Sequence, residues 1–478
     1  MLNFLNCDPV STHRSGLPRT RVAPRLSILA AALMAGVATA AAGPTPSLAP
    51  ASPAATLFEH VNVVPMDRER LLRDQSVLVV GDAIRAIGTH LEAPGGARII
   101  NGHGSEYLSP GLADMHVHST TRRDMAVFLA NGVTTVLNMG GASDSFVDQV
   151  VPKLNRGELP GPHVYLSLRV DGTPEFGQLV VATPAQARAV VSLAKTNGYD
   201  FIKVYNNLAP EVFQAFVEAG KRQGIPVVGH GVTRVGIERQ LASGQLMVAH
   251  AEEYLYTVFF PAGVDVGNRA PRLEQIPAAV AFTKRYGAFV TADLNTYATI
   301  AQQWGKPEAV TAFLAMPETK YLDPDDRIAW RSGEYATRAG SLEERLAFLT
   351  QFIKALASGG VPLIAGTDAP STPGLVPGFS LHQDLRALEA AGLGRFAVLS
   401  AATRAPGQLI ATARPDGRSF GTIAVGGRAD LILSAANPLD DLSTLEHPLG
   451  VMAAGRWHDA AHLAELLDGV VAKYRQAE

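Results

Sequence analysis

A single cysteine, Cys7, is the whole thiol inventory of the 478 residues. No intrachain disulfide can form, and a metal site must be built from histidine, carboxylate or modified lysine rather than thiolate. Positive charge is scarce as well: 41 Lys and Arg against 44 Asp and Glu give a formal net charge of −3. Without a long basic run there is no field suited to phosphate backbones, which argues against a nucleic-acid partner. The uncharged stretch from Leu26 to Ala40 falls short of the ~20 residues that span a bilayer. It follows Arg14, Arg19, Arg21 and Arg25 and ends in Ala38-Thr39-Ala40, the small residues a signal peptidase needs. Residues 1–42 therefore read as a cleaved signal peptide, which predicts a periplasmic or secreted protein with no membrane association after cleavage. Residues 43–55, rich in Pro, Ala and Ser, read as a linker without a core of its own.

What the sequence has in quantity is apolar side chain: 47% hydrophobic against 18% charged, the balance of a globular chain with a large core. The length suits a barrel of about 250 residues or more plus a smaller module. Residues 56–108 are β-rich, with Phe58 to Met66 and Ser76 to Ile87 as strands and a tight turn at Gly81-Asp82. A similar pattern returns within 413–460, at Gly421 to Gly427, Ala429 to Leu433 and Val451 to Trp457, so the two ends are expected to close one small β-sandwich. A helix is expected over 461–478.

Between them, over 109–412, strand-like runs alternate with helical stretches. The runs are Leu112–His118, Val133–Met139, His163–Val170, Phe201–Tyr205, Pro226–His230, Met247–His250, Ala288–Ala292 and Pro362–Gly366. Helices are expected at Pro184–Thr196, Pro210–Gln223 and Leu342–Ser358. Eight β/α units predict an α/β fold, a (β/α)₈ TIM barrel. The long stretch Asn295 to Gly340, with Trp304 and Trp330, is read as an insertion beside the site, either a lid or a helix pair without a role.

Candidate chemistry gathers at the strand ends, where barrel enzymes place their sites. His116 and His118 are spaced i, i+2, which on an extended strand sends both imidazoles to one face. His230 ends the fifth strand and His250 the sixth, while Asp368 follows the eighth in Gly366-Thr367-Asp368. Lys203 lies inside the apolar run Phe201-Ile-Lys-Val-Tyr205, where an unpaired ammonium is strongly disfavoured. Either a buried carboxylate pairs with it, or it loses its proton and the neutral amine adds carbon dioxide to give a carbamate, an anionic ligand for two cations. Tyr205, His382 and Arg169 are candidates for orienting a substrate.

The run Ser109-Pro-Gly-Leu-Ala-Asp-Met-His-Val-His118 resembles the first-strand signature of the amidohydrolase superfamily. Phe-Ile-Lys-Val-Tyr, Gly-His-Gly, Ala-His-Ala-Glu and Ala-Gly-Thr-Asp-Ala resemble its later strand ends. The tail, Ala401 to Pro406, Gly421 to Leu431 and Asn437 to Leu439, is similar as well, so the likeness runs from Phe58 to Trp457. Within the superfamily the chain looks most like the imidazolonepropionase-like group that includes Xaa-Pro dipeptidases. The resemblance implies two divalent metal ions, zinc by preference. His116, His118 and Asp368 would hold the more buried ion and His230 and His250 the more exposed one, with N6-carboxylated Lys203 bridging them. It implies hydrolysis of an amide bond, peptide-like or N-acyl amino acid, by a metal-bridging hydroxide with Asp368 as general base and then general acid. A small-molecule amide or dipeptide is the expected partner, and homo-oligomers are compatible with the fold. The rivals are a mononuclear deaminase or imidazolone-ring hydrolase, then a lactonase or a non-catalytic binding relative. The deaminase signature, a Glu three residues after the fifth-strand His, is missing after His230; His250-Ala-Glu-Glu253 has that spacing one strand later.

Overall fold

Eight short runs rich in Val, Ile, Leu and Met become the parallel strands of one sheet: β1 (Leu112–Val117), β2 (Val133–Asn138), β3 (His163–Asp171), β4 (Phe201–Val204), β5 (Val227–Gly229), β6 (Met247–Val248), β7 (Phe289–Thr291) and β8 (Leu363–Ile364). Such runs suit a strand buried on both faces. The order in the sheet follows the chain. Met115 N donates to Ala365 O at 3.0 Å, and His118 N to Ala369 O at 2.8 Å, so β1 closes against β8 and the sheet becomes a (β/α)₈ barrel. The computed structural model describes residues 54–261, 264 and 266–477. The predicted signal peptide at 1–42 and nearly all of the linker at 43–55 lie outside them; Ala55 already begins a strand.

The helices that return the chain have readable ends. Thr121 and Asp124 form a reciprocal capping box on Arg122–Ala130, and Thr183 with Gln186 does the same for Pro184–Thr196, where Pro184 occupies the first turn. Pro210–Gln223 stops at Gly224, whose φ of 71° suits a residue without a Cβ. Inside the barrel, Met115, Leu137, Phe201, Val228, Met247, Phe289 and Ile364 pack with Leu409, Ile410 and Phe420. Phe420 stacks on Tyr165 near the start of β3, with ring centroids 6.4 Å apart. The strand starts are thereby sealed with apolar side chains, and polar groups are left to the other end.

Both flanking regions enter a second, mostly antiparallel sheet that fits a β-sandwich. Its backbone order runs from Arg456–Asp459 through Gly450–Ala453, Leu431–Ser434, Tyr107–Pro110, Ala55–Val63 and Leu72–Val80 to Ala83–Gly88. Phe58, Val61, Val77, Ile84, Leu108, Leu431 and Met452 share its core. The stretch Gly421 to Gly427, expected as a strand, is a run of turns and bends. It contributes a loop contact instead: Gly426 N donates to Ile84 O at 2.8 Å, and Ile84 N to Gly427 O at 3.0 Å. Glycines at 421, 426 and 427 supply no side chains to pack on a pleated surface.

The long insertion is a set of short helices: Leu294–Gln303, Pro307–Leu314 and Pro324–Arg331, with 3₁₀ turns at Pro317–Tyr321 and Glu334–Thr337. It is pinned to the loop after β8, since Trp330 Nε1 donates to Pro370 O at 2.9 Å and Gln303 Nε2 to Pro373 O at 3.0 Å. Among the described residues no helix is long and apolar enough to cross a membrane.

Candidate metal centre

Side chains from three strand ends, those of β1, β4 and β8, converge on one point. Lys203 Nζ lies 3.1 Å from His116 Nε2 and 3.5 Å from His118 Nε2. Asp368 Oδ1 lies 3.3 Å from His116 Nε2 and 3.2 Å from His118 Nε2. The edge of a tetrahedron with metal–ligand bonds of ~2.0–2.1 Å is about 3.3 Å, so His116, His118 and Asp368 are spaced as three ligands of one cation. A bulge in β1 between Asp114 and Val117 interrupts strict alternation at His116. Asp114, fully buried, accepts from Thr367 N at 3.1 Å and from Thr367 Oγ1 at 2.7 Å, locking the loop that carries Asp368 to the strand that carries the two histidines.

The second group is built around a residue that the sequence reading passed over. Asp293, directly after β7, places Oδ2 2.6 Å from His250 Nδ1 and 3.7 Å from His116 Nδ1. His116, His250 and Asp293 are therefore a second set of groups able to hold a metal ion. His230, expected to pair with His250, instead places Nδ1 2.6 Å from Glu253 Oε1, and its Nε2 is buried without a hydrogen-bond partner. Glu253 also accepts from Gly231 N and from Asn206 Nδ2, both at 3.0 Å. A carboxylate on one ring nitrogen turns the other toward a cation. An imidazole nitrogen left unsatisfied in a buried site, beside carboxylates and other imidazoles, is a donor of the kind that suits a cation.

The backbone is strained where these side chains are mounted. His250, Asp293 and Asp368 have φ of 73°, 44° and 58°, left-handed values that cost a non-glycine residue of order 1 kcal/mol each and concentrate at functional sites. Electrostatics are equally unusual. Burial, with the Lys203 charge adding to it, holds the His116 and His230 imidazoles well below the usual range. Burial also pulls the Lys203 ammonium down to about 7, although the Asp368 carboxylate opposes it. Burial raises Asp368, yet the hydrogen bond and charge of His118, with His250 and Lys203, hold it well below the carboxylate range. His250 runs the other way: burial lowers it, but the Asp293 carboxylate takes it to about 9.

Of the expected substrate-orienting residues, two stand at the centre. Tyr205 stacks on His230 at 3.8 Å between centroids and on Phe176 at 5.1 Å. Arg169 is the strand partner of Lys203, its stem passes over Gly140, and its Nε is buried without a hydrogen-bond partner. His382 does not join them. It lies buried on the helix Phe379–Ala390 with Nε2 3.0 Å from Asn131 O, a packing contact with the end of the first barrel helix. Glu253 follows β6, so the count placing His230 on the fifth strand and His250 on the sixth stands.

No protein-family model matches the chain. Among solved structures, a bottromycin amidohydrolase superposes over 88% of this chain and 90% of its own, with a TM-score of 0.67 and 24% identity. A Xaa-Pro dipeptidase with bound methionine in the active site matches over 85% and 100%, with a TM-score of 0.61 and 18% identity. Ochratoxinase from A. niger matches over 85% and 96%, with a TM-score of 0.59 and 18% identity. At these identities the likeness establishes a shared fold across nearly the whole of each chain.

Proposed function

We propose that this chain is a metal-dependent hydrolase of the amidohydrolase superfamily that cleaves an amide bond adjacent to a carboxylate. The observation that carries the reading is the convergence of His116, His118, Lys203 and Asp368 within 3.1–3.5 Å contacts at the C-terminal end of a closed barrel. Buried donors at that spacing, with the unpartnered His230 Nε2 nearby, fit two divalent cations, and the imidazole-carboxylate set favours zinc. Lys203 bears on the number of ions: with its proton lost near pH 7 it can carry a carboxylate that bridges two. The solved structures with this fold include hydrolases of amide substrates, which is consistent with the reading.

Bound divalent cations supply an acidified water and polarise a carbonyl at neutral pH. The chain's own groups do the rest. Asp368, ionised and 3.2 Å from His118, accepts the proton of the attacking water and delivers it to the leaving nitrogen. The Tyr205 ring, wedged between Phe176 and His230, forms an apolar wall, and the Arg169 guanidinium receives the carboxylate on the leaving side. Residues 1–42 direct the protein to the periplasm or the exterior in this reading. A mononuclear deaminase is disfavoured because Glu253 is engaged with His230, Gly231 and Asn206 rather than free to act as acid.

The test is hydrolysis of dipeptides and N-acyl amino acids by the zinc-loaded protein. Activity should vanish with a chelator, return with metal, and fall about 10²–10⁴-fold in Asp368→Asn. Amide hydrolysis indifferent to chelation contradicts the reading.

A further inference from the structure

Asp293 stands at the N-cap position of the helix Leu294–Gln303, where an aspartate ordinarily accepts from an amide of the first turn. Its side chain makes no such bond. The residue takes a left-handed φ of 44°, and its Oδ2 meets His250 Nδ1 at 2.6 Å instead. A helix opens with amides that have no partner inside it, and a buried amide left unsatisfied is destabilising. Here the second residue of the helix, Asn295, is served from outside: its N–H donates to Asp384 Oδ1 at 3.0 Å.

Asp384 comes from the helix Phe379–Ala390, which follows β8, and it is fully buried. Neighbouring bonds run in the same direction. Asn295 Nδ2 donates to Gln383 Oε1 at 3.4 Å, and Thr296 Oγ1 donates at 2.8 Å to the carbonyl of Thr367, the residue before Asp368. The first turn of the helix that carries Asp293 is thereby fastened to the helix and the loop that follow β8. A Cβ on Gly366 would collide with Asp293 Oδ1 and with the Cβ of His116, so the Asp293 carboxylate is walled in on that side.

We propose that Asp384 is a positioning residue of the metal centre: it caps the helix Leu294–Gln303 from a neighbouring helix and so releases the Asp293 carboxylate to hold His250. The inference rests on the metal-centre reading for its consequence, while the exchange of caps belongs to the chain alone. A carboxylate at this position has two competing uses, the first-turn amide and the His250 ring, and turning toward one carries it away from the other. With Asp384 in place the Asn295 amide is already satisfied, and the contact with His250 sacrifices no cap. Without Asp384, Asp293 is drawn to Asn295. The set formed by His116, His250 and Asp293 then opens, while His116, His118 and Asp368 keep their spacing.

Competitive zinc titration of Asp384→Leu, similar in shape but without an acceptor, should weaken one ion about 10–100-fold, the range for a lost orienting contact, and leave the other at wild-type affinity. Asp384→Asn keeps an oxygen for Asn295 and should restore the affinity to within a few-fold. Both ions weakened alike, or neither, overturns the proposal. A double-mutant cycle on the metal-free chain, followed by denaturant titration, tests the exchange of caps directly. Asp293→Ala should lower the folding equilibrium roughly 2–30-fold more in the Asp384→Leu background than in the wild type, the loss of one cap. Should Asp384→Leu fail to fold, amide exchange at Asn295 decides: its protection persists in Asp293→Ala on this account, and its loss there overturns it. A wild type that binds no zinc overturns the metal-centre reading and the consequence drawn from it, whereas a cycle without coupling overturns the exchange of caps.

Discussion

Lys203 shows how far a single residue can be read before its surroundings are known. An ammonium inside an apolar strand has to be neutralised or used, and the structure surrounds it with two imidazoles and the Asp368 carboxylate rather than with one dedicated ion-pair partner. The histidines and Asp368 were legible for a related reason, since polar residues at the ends of apolar strands have nowhere to go but the barrel mouth. Asp293, directly after Ala292, obeys the same rule, but it also stands at the start of the helix Leu294–Gln303, and an aspartate there reads equally as a helix cap. Glu253 was not readable in this way: its contact with His230 depends on which ring edge the chain brings to it, and sequence spacing carries no such information. His382 lies apart from the centre, and sequence alone does not separate a histidine bonded to a backbone carbonyl from one that orients a substrate. The Glu253 contact carries a prediction. Glu253→Ala frees His230 to turn and should weaken binding of the cation it faces about 10–100-fold, seen in competitive metal titration as one weakened ion beside one unchanged. Two ions bound at wild-type affinity in the variant would show that Glu253 does not orient His230.

At the scale of elements, the barrel strands and the helices Pro184–Thr196 and Pro210–Gln223 lie where periodicity and capping residues put them. The failure at Gly421 to Gly427 has a matching cause: a short alternating pattern with three glycines scores as a strand, yet lacks side chains to pack. The cap of Arg122–Ala130 adds a pH dependence that composition does not suggest. Burial, reinforced by Asp326, raises the Asp124 carboxyl to about 7 from 3.8. Between those values the folded state keeps a proton that the unfolded state gives up. Stability should therefore fall as pH rises from about 4 to 7 and then level off, a loss of at most a few kcal/mol. Asp124→Asn keeps an oxygen for the Thr121 N–H and should flatten this dependence in denaturant titrations between pH 4 and 8. An unchanged slope in the variant would place its origin elsewhere.

At the scale of the molecule, the second sheet takes strands from both flanks of the barrel, so the site stands on a framework whose two ends are held together. Arg428 marks the junction. Buried, it pairs with Asp430, reaches Thr135 on β2, and lies 4.6 Å over the Phe420 ring beneath the barrel. The architecture was legible because eight β/α units and matched β-rich ends admit few arrangements, whereas the way the second sheet is ordered was not. Every proposed ligand comes from a different strand end except the His116–His118 pair, so the centre exists only when the barrel is closed. Elemental analysis of metal per chain, on the wild type and on Lys203→Ala, tests the central claim most directly. The account predicts near two ions per chain in the wild type, with ion and amidase activity lost together in the variant; one ion, unaffected by the substitution, would contradict it.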